Sequence, residues 1–183
     1  MDQVVVLGVG NTLLTDEGAG VHAARYFSNQ FGHLEKVRVL DGGTLSFTLS
    51  EHIDDADLLI VFDAARLGGS PGNTDFFVDD DMDRFLGSGR CSVHEVGLMD
   101  LLGMSHLRGC LPRHRVLVGI EPDVIDWGEE LTPAVKESIP VMVEQALDLL
   151  RQWDENFEQR PHVQVPADTR NRPQDRKIGM VTV

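Results

Sequence analysis

The sequence predicts an α/β fold with three layers, in which helices cover both faces of a mostly parallel, five-stranded sheet. Two observations lead to this prediction. Short apolar segments rich in Val, Leu and Ile alternate along the chain with longer segments of helical periodicity. Most of the short segments end at glycine or an acidic residue, as buried strands do where the chain turns.

The predicted strands are short apolar or alternating segments. The first is an unbroken apolar run that Gly8 and Gly10 close. The second alternates polar and apolar residues before a D-G-G-T turn, and the third is the clearest buried strand. Acidic residues flank the fourth, which is therefore predicted at an edge of the sheet. The five strands are predicted at 4–7, 36–40, 57–62, 74–78 and 115–120.

The predicted helices show apolar residues at helical spacing. A capping hydroxyl at Thr132 and a proline at Pro133 are typical of a helix start. Pro140 predicts a kink or a restart within that last helix. A short helix is favoured at 45–52 and a loop at 67–73. The three longer helices are predicted at 18–27, 96–107 and 132–153.

The predicted elements form one domain over residues 1–153. After Trp153 the segment contains three prolines within PHVQVPADTRNRPQDRKIGMVTV, mixed charge and no sustained period. Residues 154–183 are therefore expected to form a mobile or loosely attached C-terminal tail.

The charge and composition exclude several classes of function. The 183 residues have a formal net charge of −14, which disfavours binding to nucleic acid and to anionic membrane surfaces. The sequence has no apolar segment long enough to span a bilayer and no recognisable signal peptide. Two cysteines without C-x-x-C spacing are typical of reduced thiols. We therefore expect a cytoplasmic protein.

The loop after the first strand partly matches a dinucleotide-binding motif. Gly8 and Gly10 fit the start of G-x-G-x-x-G, but Leu13 stands where the third glycine belongs. Asp16 and Glu17 would also repel a pyrophosphate. Nucleotide binding is therefore a weak alternative.

Two carboxylates and one imidazole are expected at neighbouring strand ends or helix starts. Glu17 follows the first strand, Asp63 follows the third, and His94 comes just before a predicted helix. Because the carboxyl ends of parallel strands meet at one edge of a sheet, these groups form a candidate site for a divalent transition metal. The alternatives are a turn-capping aspartate, a glutamate favouring a helix N-terminus and a surface histidine.

Other catalytic schemes have less support. The sequence has no G-x-S-x-G motif, which disfavours a serine hydrolase of the α/β type. Cys91 lies close to His94 in sequence, but a Cys–His pair needs contact in space and a third orienting group.

Five blocks in order resemble the hydrogenase maturation endopeptidases, which remove a C-terminal extension from the large subunit of nickel-iron hydrogenases. The resemblance implies a five-stranded sheet flanked by helices, and it does not extend past Trp153. One departure is Ser46, where the family pattern has glycine. The blocks are GVGNTLLTDEGAGV at 8–21, DGGTL at 41–45, FDAA at 62–65, SVHEVGL at 92–98 and GIEP at 119–122.

The resemblance also implies roles for individual residues. Glu17, Asp63 and His94 match the family's metal-contacting residues, and Asp41 matches an aspartate associated with substrate discrimination or catalysis. The metal is a divalent ion, expected to be nickel presented by the substrate rather than a resident cofactor. The implied partner is the nickel-iron hydrogenase large-subunit precursor. Since a conditional protease needs no partner beyond its precursor, we expect a monomer. The alternative is a non-enzymatic, nickel-sensing chaperone that binds the precursor without cutting it.

Overall fold

The sheet has the architecture that the sequence predicts. The computed structural model describes residues 2–88 and 93–163, and only the backbone of 93–96. The described residues form a five-stranded sheet of order β2-β1-β3-β5-β4, in which β4 alone runs antiparallel, at an edge. The mostly parallel sheet and the edge position of the fourth strand are confirmed. The strands are β1 (Val4–Val9), β2 (Val37–Gly43), β3 (Leu58–Ala64), β4 (Thr74–Val78) and β5 (His114–Ile120).

Helices cover both faces of the sheet. Alternate residues of the central strands pack against α1 and α5 on one face and against α2, α3 and α4 on the other. No helix among the described residues is long and apolar enough to cross a membrane. The helices are α1 (Ala19–Phe31), α2 (Ser50–Asp54), α3 (Asp80–Leu86), α4 (Val93–Leu107) and α5 (Pro133–Trp153).

Three of the element boundaries that differ from the sequence-based predictions affect candidate site residues. β2 continues through the predicted turn, because Asp41 and Gly43 pair with the end of β1. β3 extends to Ala64, so Asp63 lies within the strand rather than after it. α4 begins at Val93, so His94 lies in the first turn of the helix and not before it.

The helix α3 has no counterpart among the predicted elements. This helix is short and rich in aspartate, and it buries only Met82 and Leu86. Two apolar residues four positions apart give too little periodicity to predict a helix.

The start of α5 is where the sequence predicts it, with Thr132 as the N-cap residue and Pro133 as the first residue of the helix. The Thr132 hydroxyl, however, makes no capping hydrogen bond and donates to Asp16 instead. α5 then continues through Pro140 as one helix, and the restart predicted there is not found.

Residues 154–163 pack against the domain, so the expected loose tail is wrong for this segment. Phe157 is fully buried, and its ring lies 6.3 Å from that of Phe27. The buried Arg160 guanidinium donates to the Asp154 carboxylate and to the carbonyl oxygens of Glu35 and Lys36. The packed region thus passes the predicted boundary at Trp153. Residues 164–183 lie outside the described part.

Replacing Gly20 with alanine is expected to lower the free energy of unfolding by about 2–3 kcal/mol. A Cβ at this position would collide with the carbonyl oxygens of Val9 and Phe62, so α1 would have to move away from the sheet. Urea denaturation measures the effect.

The matched control for this substitution is Gly103→Ala in α4. No described atom outside the helix's own backbone lies within 4 Å of the added methyl group there. Alanine should therefore stabilise α4 by about 0.5–1 kcal/mol. If Gly20→Ala were as stable as the wild type, the close contact between α1 and the sheet would not be required.

Candidate functional site

The candidate site lies at the carboxyl edge of the sheet, around the end of β1. Gly8 of β1 is paired with Asp41 of β2 on one side and with Phe62 of β3 on the other. Since neighbouring strands are about 4.8 Å apart, the backbones of Asp41 and Asp63 are separated by roughly 10 Å. Two acidic residues thus flank the end of β1.

Asp41 and Asp63 belong to opposite faces of the sheet. Asp63 alternates with Phe62, placing it on the face covered by α2, α3 and α4. Asp41 instead forms an exposed ion pair with Arg25 of α1, 3.2 Å long, and accepts a hydrogen bond from the Gly43 amide. The structure therefore places Asp41 at the rim of the site and not beside Asp63.

Asp63 is buried, with only 1% of its surface exposed. A carboxylate is rarely buried to this extent unless it is paired, hydrogen-bonded or bound to a cation. Its position inside β3 also argues against the turn-capping interpretation.

Glu17 lies in a 3-10 turn, Thr15–Gly18, that leads directly into α1 and packs next to β3. Its side chain is half-buried. Within the described part of the chain, the Glu17 carboxylate makes no hydrogen bond or ion pair. It is therefore available to a ligand at the carboxyl edge.

The neighbouring Asp16 has a structural role that the sequence does not indicate. It is fully buried and accepts hydrogen bonds from the amides of Asp123, Val124 and Thr132 and from the Thr132 hydroxyl, at 2.7–3.0 Å. It therefore joins the β1–α1 loop to the β5–α5 loop and to the start of α5. Nothing in the local sequence distinguishes this carboxylate from Glu17, because its partners are more than a hundred residues away.

The first turn of α4 lies at the same edge of the sheet. Gly97, one turn after His94, lies beside Leu45, because a Cβ added at Gly97 would be 3.5 Å from the Leu45 Cβ. Leu45 closely follows the carboxyl end of β2, so the His94 backbone is near the site. The His94 side chain lies outside the described residues, as does Cys91.

The predicted metal-binding group can therefore be located only in part. The structure brings the Glu17 turn next to β3 and places Asp63 on the face where α4 begins. Among the described side chains, no group of three His, Cys, Asp or Glu residues could hold a metal ion. Because the His94 side chain is not among those described, the site formed by Glu17, Asp63 and His94 stays a prediction.

A cleft of about 310 Å³ lies between the segment after β2 and α4. Ser46 accepts a hydrogen bond from the Thr48 amide and begins a 3-10 turn at Phe47–Leu49. The serine that departs from the family pattern thus has a local structural role. The cleft is lined by Thr44, Leu45, Ser46, Phe47, Gly97, Asp100 and Leu101.

The Asp54 carboxylate links α2 to the C-terminal end of α4 by hydrogen bonds. It accepts hydrogen bonds from the Ser105 hydroxyl, at 2.5 Å, and from Arg108, at 2.9 Å. Burial opposes the charged form, but these hydrogen bonds outweigh it and hold the pKa of Asp54 below its ordinary value.

We expect Asp54→Asn to lower the free energy of unfolding by about 1–2 kcal/mol at pH 7. Because the folded-state pKa is lowered, this contribution is present above the ordinary pKa, and it disappears as the pH falls through the folded-state value. The difference between wild type and variant should therefore shrink below about pH 4. Urea denaturation at several pH values measures it.

An exposed ion pair supplies the control for Asp54. Asp81 and Arg84 are both well exposed and pair along α3, so Asp81→Asn should change stability by less than about 0.5 kcal/mol. If the difference in free energy of unfolding between the wild type and Asp54→Asn stayed constant down to pH 2, the role assigned to the Asp54 charge would be contradicted.

Comparison with known proteins identifies a common family. A model of the hydrogenase maturation protease family, HycI, matches residues 21–149. The hydrogenase expression/formation protein HupD of Bradyrhizobium diazoefficiens is 39% identical over 153 residues, which cover 83% of this chain and 80% of the relative. The hydrogenase 2 maturation protease of Escherichia coli is 33% identical over 82% of this chain and 92% of its own length.

Solved structures agree with these sequence relatives. The hydrogenase maturating endopeptidase HybD from Escherichia coli superposes with a TM-score of 0.77 at 33% identity, over 83% of this chain and 94% of that chain. The nickel-iron hydrogenase maturation protease HybD from Thermococcus kodakarensis gives a TM-score of 0.69 at 30% identity, over 80% and 98% of the two chains.

Proposed function

The chain belongs to the hydrogenase maturation protease family, and from this premise we propose that it removes the C-terminal extension of a nickel-iron hydrogenase large-subunit precursor after nickel insertion. As a member of this family, the chain is an endopeptidase. The observation that most supports the proposal is the arrangement at the carboxyl edge. There, the 3-10 turn that carries the available Glu17 carboxylate packs next to β3, the strand that carries the buried Asp63.

Glu17, Asp63 and His94 are proposed to contact nickel bound in the substrate. Carboxylate oxygens and an imidazole nitrogen suit divalent first-row metals, and three such ligands leave other coordination positions to the precursor. A precursor without nickel would lose these contacts and would dock less well. Recognition of the metal would thereby make cleavage conditional on nickel insertion.

Asp41 is proposed to act in substrate discrimination. It lies at the rim, on the face of α1, and its pairing with Arg25 leaves the carboxylate exposed. This position suits contact with the substrate polypeptide better than contact with the same metal as Asp63. We further propose that the chain acts as a cytoplasmic monomer.

The test is cleavage of purified large-subunit precursor with and without inserted nickel, followed by mass spectrometry of its C-terminus. We expect loss of a C-terminal peptide from the nickel-loaded form alone. Binding without cleavage would instead favour the non-enzymatic chaperone. Cleavage of both forms at equal rates would contradict the role proposed for Glu17, Asp63 and His94.

A further inference from the structure

A group of exposed apolar side chains lies beside the Glu17 turn. Leu13 is 50% exposed, Val124 42%, Ile125 50% and Trp127 81%. They come from the β1–α1 and β5–α5 loops, and we call them the apolar platform. Exposed apolar side chains that come together on a surface are typical of interaction sites.

The platform is held in place by hydrogen bonds between its two loops. The Thr15 amide donates to the Gly128 carbonyl at 2.7 Å, and the Gly128 amide donates to the Leu13 carbonyl at 3.0 Å. The Thr15 hydroxyl donates to the Val124 carbonyl at 2.6 Å. The buried Asp16 carboxylate also accepts hydrogen bonds from the Asp123 and Val124 amides, so the backbone that carries the exposed side chains is ordered.

The platform is continuous with the candidate site. Leu13 and Glu17 lie in one loop, where the Glu17 amide donates to the Leu14 carbonyl. A polypeptide on the platform would therefore extend to the group proposed to contact nickel.

The charges on the platform's own loops are all negative. Asp123, Asp126 and Glu129 are exposed on the β5–α5 loop, and neither 11–15 nor 121–131 contains a lysine or arginine. A partner that covers the apolar side chains would place its own rim against these carboxylates. Basic residues on that rim would be favoured, and acidic ones disfavoured.

We propose that the apolar platform is the docking surface for the hydrogenase precursor and receives an apolar segment flanked by basic residues. This proposal rests on the proposed function, because it assigns the platform to the same substrate. The platform binds the polypeptide next to the nickel, and Glu17 contacts the metal itself. Two independent features of the substrate are thus recognised at adjoining places.

The first test replaces Trp127 and Ile125 together with serine and follows cleavage of the nickel-loaded precursor. Because buried aromatic residues dominate interface energies, KM should rise about tenfold or more, with kcat changed less than about twofold. The control is Leu107→Ser at the far end of α4, which also removes a highly exposed apolar side chain. An unchanged KM, or a change equal to the control's, would overturn the proposal.

A second variant tests the acidic rim. Asp123→Asn, Asp126→Asn and Glu129→Gln combined should raise KM at low ionic strength and reduce its dependence on salt. Unaltered salt dependence would overturn the basic character assigned to the substrate segment.

Binding of the nickel-loaded precursor, measured by biolayer interferometry, separates this proposal from the proposed function. If the wild type binds without cutting and the Trp127/Ile125 variant does not bind, the platform proposal stands and the proposed processing fails. If the wild type cuts the precursor and the variant binds it as well as the wild type does, the proposed processing stands and the platform proposal fails. Analytical ultracentrifugation that shows a dimer of the wild type, dissociated by the variant, would assign the platform to a second copy and overturn the proposal.

Discussion

Glu17→Ala is expected to lower the rate of precursor processing by at least about 100-fold while leaving the fold intact. Loss of a group that only supports a metal ligand already lowers metal affinity or activity by about 10–100-fold, so loss of a direct ligand should lower activity further. The Glu17 side chain is half-buried and makes no hydrogen bond to the described part of the chain, so little stability should be lost. The measurement is the initial rate on nickel-loaded precursor, with circular dichroism and thermal unfolding alongside.

The same result is expected for His94→Ala, because the imidazole is proposed to contact the same metal. His106→Ala in the last turn of α4 is its matched control, since it lies about 18 Å along the helix from His94. Glu155→Ala, an exposed residue beyond the end of α5, is the control for Glu17. Wild-type processing by either site variant would show that the metal-contacting residues are wrongly assigned.

Asp16→Ala is expected to lower the free energy of unfolding by about 3 kcal/mol or more. The substitution leaves the amides of Asp123, Val124 and Thr132 without their buried acceptor, and each such group costs about 1–3 kcal/mol. Urea denaturation at pH 7 measures the loss. Processing should decline as well, because the apolar platform and the Glu17 turn share the backbone that Asp16 organises.

Thr132→Val provides the graded comparison for Asp16. It removes only the hydroxyl donor to the Asp16 carboxylate, so the expected loss is about 1 kcal/mol. Glu17→Ala and Asp16→Ala should therefore differ in stability: both variants lose processing activity, but only Asp16→Ala also loses free energy of unfolding. Equal stability of the two variants would contradict the structural role of Asp16.

The strands of this fold are predictable because burial on both faces gives unbroken apolar runs, as in β1 and β3. Their carboxyl ends are less predictable. Asp41-Gly42-Gly43 has the composition of a turn, yet it continues β2 because the end of β1 provides pairing partners. That pairing depends on a strand far away in sequence, which a local pattern does not contain.

The residues proposed for the candidate site can be named from the sequence, whereas the geometry of the site cannot. Strand topology indicates Glu17 and Asp63, and the family resemblance adds Asp41. The placement of Asp41 on the opposite face from Asp63 follows from strand register, which a local sequence pattern does not determine. The roles of Asp16 and Arg160 depend on partners at long sequence separation, so no nearby residue signals either of them.

The packing of residues 154–163 has a consequence for synthesis of the chain. A nascent polypeptide that ends before Phe157 has made every strand of the described sheet, but Phe27 still lacks one of its aromatic neighbours. The carbonyl groups of Glu35 and Lys36 receive their guanidinium donor only when Arg160 leaves the ribosome. The N-terminal half of the domain therefore remains incompletely covered until the segment around Phe157 and Arg160 has left the ribosome and packed against it.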